Sequence, residues 1–103
     1  VDEVDSIKQT GLHMAARNSH EDVINILLEH EAKKTVIDKE GATPLHRAAA
    51  AHSAGGLRCL LQNGFDYEAR DNLGEQPIHK AAAAGQIEAI DELLNAGASI
   101  AAM

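Results

Sequence analysis

The chain has 103 residues, a formal net charge of −7, 45% hydrophobic residues and only 2% aromatic ones. That length bounds it to one small domain. The acidic balance argues against a nucleic-acid partner, because neutralising phosphates needs clustered Lys and Arg. A single cysteine excludes a disulfide framework or a Cys-based zinc site.

With so few aromatics the core has to be made of Ala, Leu, Ile and Val, which suits close-packed helices better than sheets. No apolar run approaches the ~18 residues of a membrane span. The acidic start Val1-Asp2-Glu3-Val4-Asp5 is no secretory signal. A lone thiol fits a reducing, intracellular compartment, cytoplasmic or nuclear. The absence of an initiator Met reads as a segment of a longer protein.

Taken in order, residues 1–4 form a leader, and from Asp5 the chain repeats itself. Thr10-Gly11-Leu12-His13-Met14-Ala15-Ala16 returns 33 positions on as Thr43-Pro44-Leu45-His46-Arg47-Ala48-Ala49. It returns again as Gln76-Pro77-Ile78-His79-Lys80-Ala81-Ala82. Leu27-Leu28, Leu60-Leu61 and Leu93-Leu94 keep the same step, as do Asp5, Asp38 and Asp71. A fixed period without slippage is the signature of stacked repeats, here units 5–37, 38–70 and 71–103.

In the first unit the pattern predicts helices over about Thr10–Asn18 and His20–His30, with Val23, Ile24, Leu27 and Leu28 inward. In the second, Asp38-Lys39-Glu40-Gly41 reads as a tight turn. Thr43 then suits a helix N-cap and Pro44 the first helical position, where a missing N–H costs nothing. That helix runs to about Ala51, with a break at His52-Ser53. A second helix carries Leu57, Leu60 and Leu61 inward at helical spacing and closes at Asn63-Gly64. The glycine pair Gly55-Gly56 opening it predicts weak packing there, and a gain in stability for Gly56→Ala. In the third unit Gly74 sits in the turn, Pro77 starts a helix and Gly85 separates the pair. Ile87, Ile90, Leu93 and Leu94 face inward, and Asn95-Ala96-Gly97 forms the stop.

The pattern D-x-x-G-x-T-P-L-H-x-A-A, followed by an apolar second helix ending in L-L-x-x-G-A, resembles the ankyrin repeat. That resemblance implies an all-α solenoid of stacked helix-turn-helix units with β-hairpin-like turn tips. Lys8, Gly11, Glu31, His52 and Gln76 depart from the pattern, but none removes an apolar anchor. The apolar tail Ala98-Ser99-Ile100-Ala101-Ala102-Met103 reads as ready for a fourth unit.

His13, His46 and His79 invite a metal reading. Equivalent positions in stacked helices lie about 8–10 Å apart, whereas zinc ligands sit about 2 Å from one ion. Each imidazole is therefore expected to bond within its own turn and to a neighbouring backbone group. Cys59, between Leu57 and Leu60, is expected to be a half-buried core thiol. No phosphate loop is present, and Glu21-Asp22 and Asp91-Glu92 are adjacent pairs that do not face one another on a helix. No catalytic, cofactor or metal site is expected.

What remains is a surface. The resemblance implies partner binding by the concave side, made of turn tips and first-helix faces: Ile7, Lys39, Glu40, Asn72 and Leu73 on the tips, with Met14, Arg17, Asn18, Arg47, Ala51, Lys80 and Ala84 on the helices. That helix face carries Arg17, Arg47 and Lys80 and no acid. It therefore predicts a basic strip suited to an acidic peptide or an acidic partner face. The expected function is a non-catalytic, monomeric protein–protein interaction module acting as adaptor, inhibitor or receptor subunit. The alternatives are the regulatory arm of a larger enzyme or channel, or a structural spacer.

Overall fold

A computed structural model of the protein describes residues 11–30 and 36–99. The leader, the first turn tip with Ile7, the substitutions at Lys8 and Glu31, and the tail from Ile100 lie outside them.

Six α-helices follow in order: α1 Gly11–Arg17, α2 Glu21–Glu29, α3 Pro44–Ala50, α4 Ala54–Gln62, α5 Pro77–Ala84 and α6 Ile87–Ala96. They pair as α1–α2, α3–α4 and α5–α6. The first helices pack side by side in one layer, α1 on α3 and α3 on α5, and the second helices form the other layer, α2 on α4 and α4 on α6. No strand occurs among the described residues. The predicted hairpin-like tips are tight turns closed by backbone bonds, Asp38 N–H to Ala42 O at 2.9 Å and Gly41 N–H to Asp38 O at 3.0 Å. Gly41 adopts φ +76° there, a conformation other residues resist.

Local chemistry sets the helix starts. Thr43 is extended at the N-cap of α3, its Oγ1 accepts from the His46 N–H at 3.3 Å, and Pro44 follows at the first helical position. The His46 Nδ1 accepts the Thr43 N–H in return, at 3.2 Å. This is a reciprocal cap in which an imidazole replaces the usual Glu or Gln. In α5, Gln76 stands where Thr is expected, yet its N–H still donates to the His79 Nδ1, at 3.0 Å. Its side-chain amide turns to the Glu68 carbonyl.

The core is one continuous cluster. Leu12, Ala16, Ile24, Leu45, Ala48, Ala49, Leu57, Leu60, Ile78, Ala81 and Leu93 are essentially inaccessible. Each fully buried Leu or Ile contributes roughly 1.5–3 kcal/mol, and the alanines let neighbouring first helices approach closely.

Three predicted core residues are not in it. Val23 is 42% exposed, Ile87 74% and Leu94 44%. Ile87 occupies the repeat position of Glu21 and Ala54, which points outward at the helix start, and Ala89 takes the inner place beside Leu93. Val23 stands at the position of Gly56, which abuts Ala16 and Ser19 of the preceding helix pair. For Val23 no preceding pair lies among the described residues. Leu94 corresponds to half-buried Leu61, and no pair follows it among the described residues.

The expectation for Gly55-Gly56 also fails. Ser53 is buried and donates its hydroxyl to the Ala16 carbonyl at 2.5 Å, while Gly56 N–H donates to the Ser19 Oγ at 3.1 Å. This is a close, hydrogen-bonded joint between the first two pairs, not a loose one. A methyl at Gly56 would stand 2.8 Å from the Ala16 carbonyl oxygen, which is backbone and cannot yield cheaply. At Gly55 its nearest neighbours are the carboxylate end of Glu21 and the Ser19 hydroxyl, both side-chain atoms. Gly56→Ala therefore lowers the melting temperature, and Gly55→Ala leaves it equal or raises it, the gain in helix propensity being up to about 1 kcal/mol. Paired thermal melts of the two variants decide this, and a stabilised Gly56→Ala would refute the close-joint reading.

Candidate functional site

The turn tips of the second and third pairs are built alike. The Asp38 Oδ1 accepts the N–H groups of Glu40 and Ala42, at 2.9 and 3.1 Å. The Asp71 Oδ1 accepts those of Leu73 and Glu75, at 2.9 and 3.0 Å. Aspartate suits this place because its short side chain folds back on the following amides.

The cations of the first helices reach the same turns. Arg47 donates Nε to the Asp38 Oδ2 at 2.6 Å and a terminal nitrogen to the Glu40 Oε1 at 2.8 Å. The Lys80 Nζ lies 3.0 Å from the Asp71 Oδ2 and 2.7 Å from the Glu75 Oε1. This corrects the expected basic strip. The helix face itself has no acid, but the tips fold their carboxylates onto it, so Arg47 and Lys80 each face two acids. Arg17 occupies a different repeat position, is exposed and belongs to neither group.

Burial opposes ionisation of Asp38 and Asp71. At Asp38 the bonds from Arg47 and the Ala42 and Glu40 amides outweigh it, and at Asp71 those from the Glu75 amide, Lys80 and the Leu73 amide do. Both carboxyls are therefore held below their ordinary value. Conversely the Glu75 bond, ahead of that to Asp71, raises the Lys80 ammonium above its own, against burial.

Successive tips are tied together. The Asn72 N–H donates to the Glu40 carbonyl at 2.9 Å and its side-chain amide to the Lys39 carbonyl at 3.2 Å. Between them opens a cleft of about 500 Å³ lined by Lys39, Glu40, Ala42, Arg47, Asp71, Asn72, Leu73 and Lys80. Six of the sequence-expected surface residues thus meet at one place, and Leu73 stands there 75% exposed. The others do not join it. Ala51 borders a second groove with His52, Gln86 and Ile87, and Met14, Arg17, Asn18 and Ala84 line neither. The motif-based reading missed Asp38 and Asp71 as partners of the cations; their place in the turn, one helical reach from positions 47 and 80, was the available signal.

The histidines are structural. The His46 Nδ1 accepts from Thr43, so its proton sits on Nε2, which donates to the Glu75 carbonyl at 2.7 Å. The His13 Nε2 makes the same bond to the Ala42 carbonyl, also at 2.7 Å. Both span 29 residues, from one pair to the next. Burial, assisted by the Lys80 and Arg47 charges, lowers the His46 pKa against the pull of Glu75 and Asp71. No cluster of three or more metal-ligating side chains occurs among the described residues. Cys59 is buried, bonded to the Asn25 Oδ1 at 3.5 Å, and burial, with Glu21 adding to it, pushes its thiol up. A thiol so placed is a poor nucleophile. No described helix is long and apolar enough to cross a membrane.

Two layers of short helices, joined pair to pair by the same bonds at the same spacing, define a helical-repeat solenoid. Family profiles agree. One described as "Ankyrin repeats (3 copies)" matches residues 1–71, and one described as "Ankyrin repeats (many copies)" matches residues 55–94. The chain belongs to the ankyrin-repeat family, whose members generally serve as protein–protein interaction modules. No curated protein matches the sequence significantly.

The burial and hydrogen bonding of these groups imply a pH response. The folded-state pKa of His46 is depressed from 6.5, and those of Asp38 and Asp71 from 3.8. Each contribution is complete above the ordinary value and lost as pH falls through the folded one. Urea midpoints should therefore decline in two steps, the first below 6.5 and the second below 3.8. A His46→Gln chain should show a smaller first step, and an equal first step would remove His46 as its source.

Proposed function

We propose that this chain is a non-catalytic docking module of an intracellular protein, with three 33-residue units bounded at Asp5, Asp38 and Asp71. A partner protein would engage its concave side at the tips and first helices. The observation that carries this is the cleft between the second and third tips, where exposed Leu73 projects beside a rim of charged and amide groups. An apolar anchor inside a polar rim is the anatomy of a protein interface. Ile7, at the corresponding first tip position by sequence register, and Met14, Arg17, Asn18, Ala51 and Ala84 would extend the footprint.

The acidic partner suggested by the helix face has less support than the sequence implied. With Arg47 and Lys80 each held by two carboxylates, steering of an acidic segment is weak. We infer instead that a partner inserts an apolar side chain against Leu73 and hydrogen-bonds the free edges of the tips, with Lys39 supplying the exposed positive charge. Arg47 is a poor probe of binding, since reversing its charge would set three acids together in the turn.

The test uses exposed positions. Proteins captured from lysate by the native chain should be lost by Leu73→Asp, with affinity for an isolated partner falling about tenfold or more, as at an interface hot spot. Lys39→Glu should change the association rate and its salt dependence more than the dissociation rate. Unchanged binding by Leu73→Asp would move the site off this cleft.

A further inference from the structure

The joint between helix pairs occurs twice at the ends of the first helices remote from the tips, and its two copies differ. At the first, the buried Ser53 hydroxyl reaches the Ala16 carbonyl and the Gly56 N–H reaches the Ser19 Oγ. At the second, 33 positions on, Gln86 stands in place of Ser53 and Ala89 in place of Gly56. The Gln86 side chain turns aside, its Oε1 accepting the His52 Nδ1–H at 3.0 Å. A methyl at Gly56 would lie 2.8 Å from the Ala16 carbonyl oxygen. Ala89 carries that methyl, so the third pair has to stand farther off at this joint.

A groove of about 390 Å³ opens there. Ala51, Ala54 and Ala89 give it an apolar lining, and Gly85 leaves it uncovered, since a Cβ at Gly85 would meet nothing within 4 Å. Ile87 stands at its edge, 74% exposed. That exposure belongs to the position: Glu21, its equivalent in the first pair, is exposed although the second pair packs on α2.

The charges around the groove are of one sign. No Lys or Arg lines it. Glu88 borders it, and the Glu21 carboxylate lies against Gly55, close enough that a Cβ there would meet its Oε2 at 2.8 Å. Arg58, whose charge both acids feel, is already paired with Glu92 at 3.1 Å. The starts of α4 and α6 set about half a positive charge each against the two carboxylates, so the excess stays negative.

We propose that this groove docks a basic segment of a partner protein. An apolar side chain of that segment lies on Ile87 and the alanines, and the Lys or Arg residues flanking it meet Glu88 and Glu21. Apolar centre and charged border are then matched across the contact, the second by complementary potential. The groove and the tip cleft lie at opposite ends of the first helices, so this reading stands or falls apart from Leu73.

The test titrates the nitrogen-15 labelled chain with the peptide acetyl-Lys-Arg-Leu-Lys-Lys-amide. The amide signals of Gly55, Gly85 and Ile87 should shift and that of Leu73 stay in place, while acetyl-Glu-Glu-Leu-Glu-Glu-amide moves none of them. Ile87→Ser should weaken binding about fivefold or more at every salt concentration, because it removes apolar contact and no charge. Glu88→Gln should instead flatten the salt dependence, because it removes charge and little shape. Both positions are exposed at a helix start, where these side chains are accommodated, and Leu73→Asp should bind the peptide as the native chain does. Equal shifts with the acidic peptide, unchanged affinity in Ile87→Ser, shifts confined to the tips, or no shifts at all would each overturn the proposal. Self-association by sedimentation that Ile87→Ser abolishes would assign the groove to a second copy of the chain and overturn it as well.

Discussion

The architecture depends on one polar contact, the hydrogen bond from a buried imidazole to the backbone of the following turn. Apolar side chains favour packing of any helix on any other, but say little about register. The His46 Nε2–Glu75 carbonyl bond is directional and buried, so misplacing it by one turn would strand a donor and an acceptor in a dry environment, at roughly 1–3 kcal/mol each. The Ala positions complement it. Ala48 and Ala49 leave first helices free to approach closely, and the imidazole then decides how far along they sit. The same requirement keeps the imidazole neutral, since a protonated ring would lose the bond at Nδ1 that caps its own helix.

The turns are held by charges spent internally. Asp38 and Asp71 use one carboxylate oxygen on backbone amides and the other on the cation of the adjacent helix. Each tip is thereby fastened both to itself and to its helix, and Asn72 ties the third tip to the second. The result is a preorganised edge whose loops cost little further ordering on binding. It is also a surface with less net field than a count of its lysines and arginines suggests. What the edge leaves exposed is Lys39 and the apolar Leu73.

Most of the fold was legible because the signals that specify it are local or periodic. Thr43-Pro44 marks a helix start by chemistry within one turn, Asn63-Gly64 marks a stop, and the repeat step aligns every anchor. The misreadings have a common physical root. Val23 and Leu94 were placed inside by helical spacing, which gives the apolar face of a helix but not whether a neighbour covers it. Gly56 was read from intrinsic propensity, whereas its reason is tertiary: the Ala16 carbonyl and Ser19 come too close for a side chain. The basic strip was read from one helix face at a time. The carboxylates that quench it come from loops several residues earlier, and their fold-back is visible only in three dimensions.

Comparison of the second and third units within the chain separates scaffold from surface. Asp38 and Asp71, Gly41 and Gly74, Pro44 and Pro77, and His46 and His79 are identical pairs, and all serve the turn, the cap or the inter-repeat bond. Within the tips, residues 38–42 and 71–75, the aligned positions that differ are Lys39 and Asn72, Glu40 and Leu73, Ala42 and Glu75, and all but Glu75 line the cleft. Stacking demands sameness, because each unit must present to the next what it received from the last. A partner-binding edge gains from difference, because identical tips would offer identical contacts and no preferred register for whatever lies across them. Leu73 at the repeat position of Glu40 breaks that degeneracy, placing an apolar side chain on one tip where the other carries a charge.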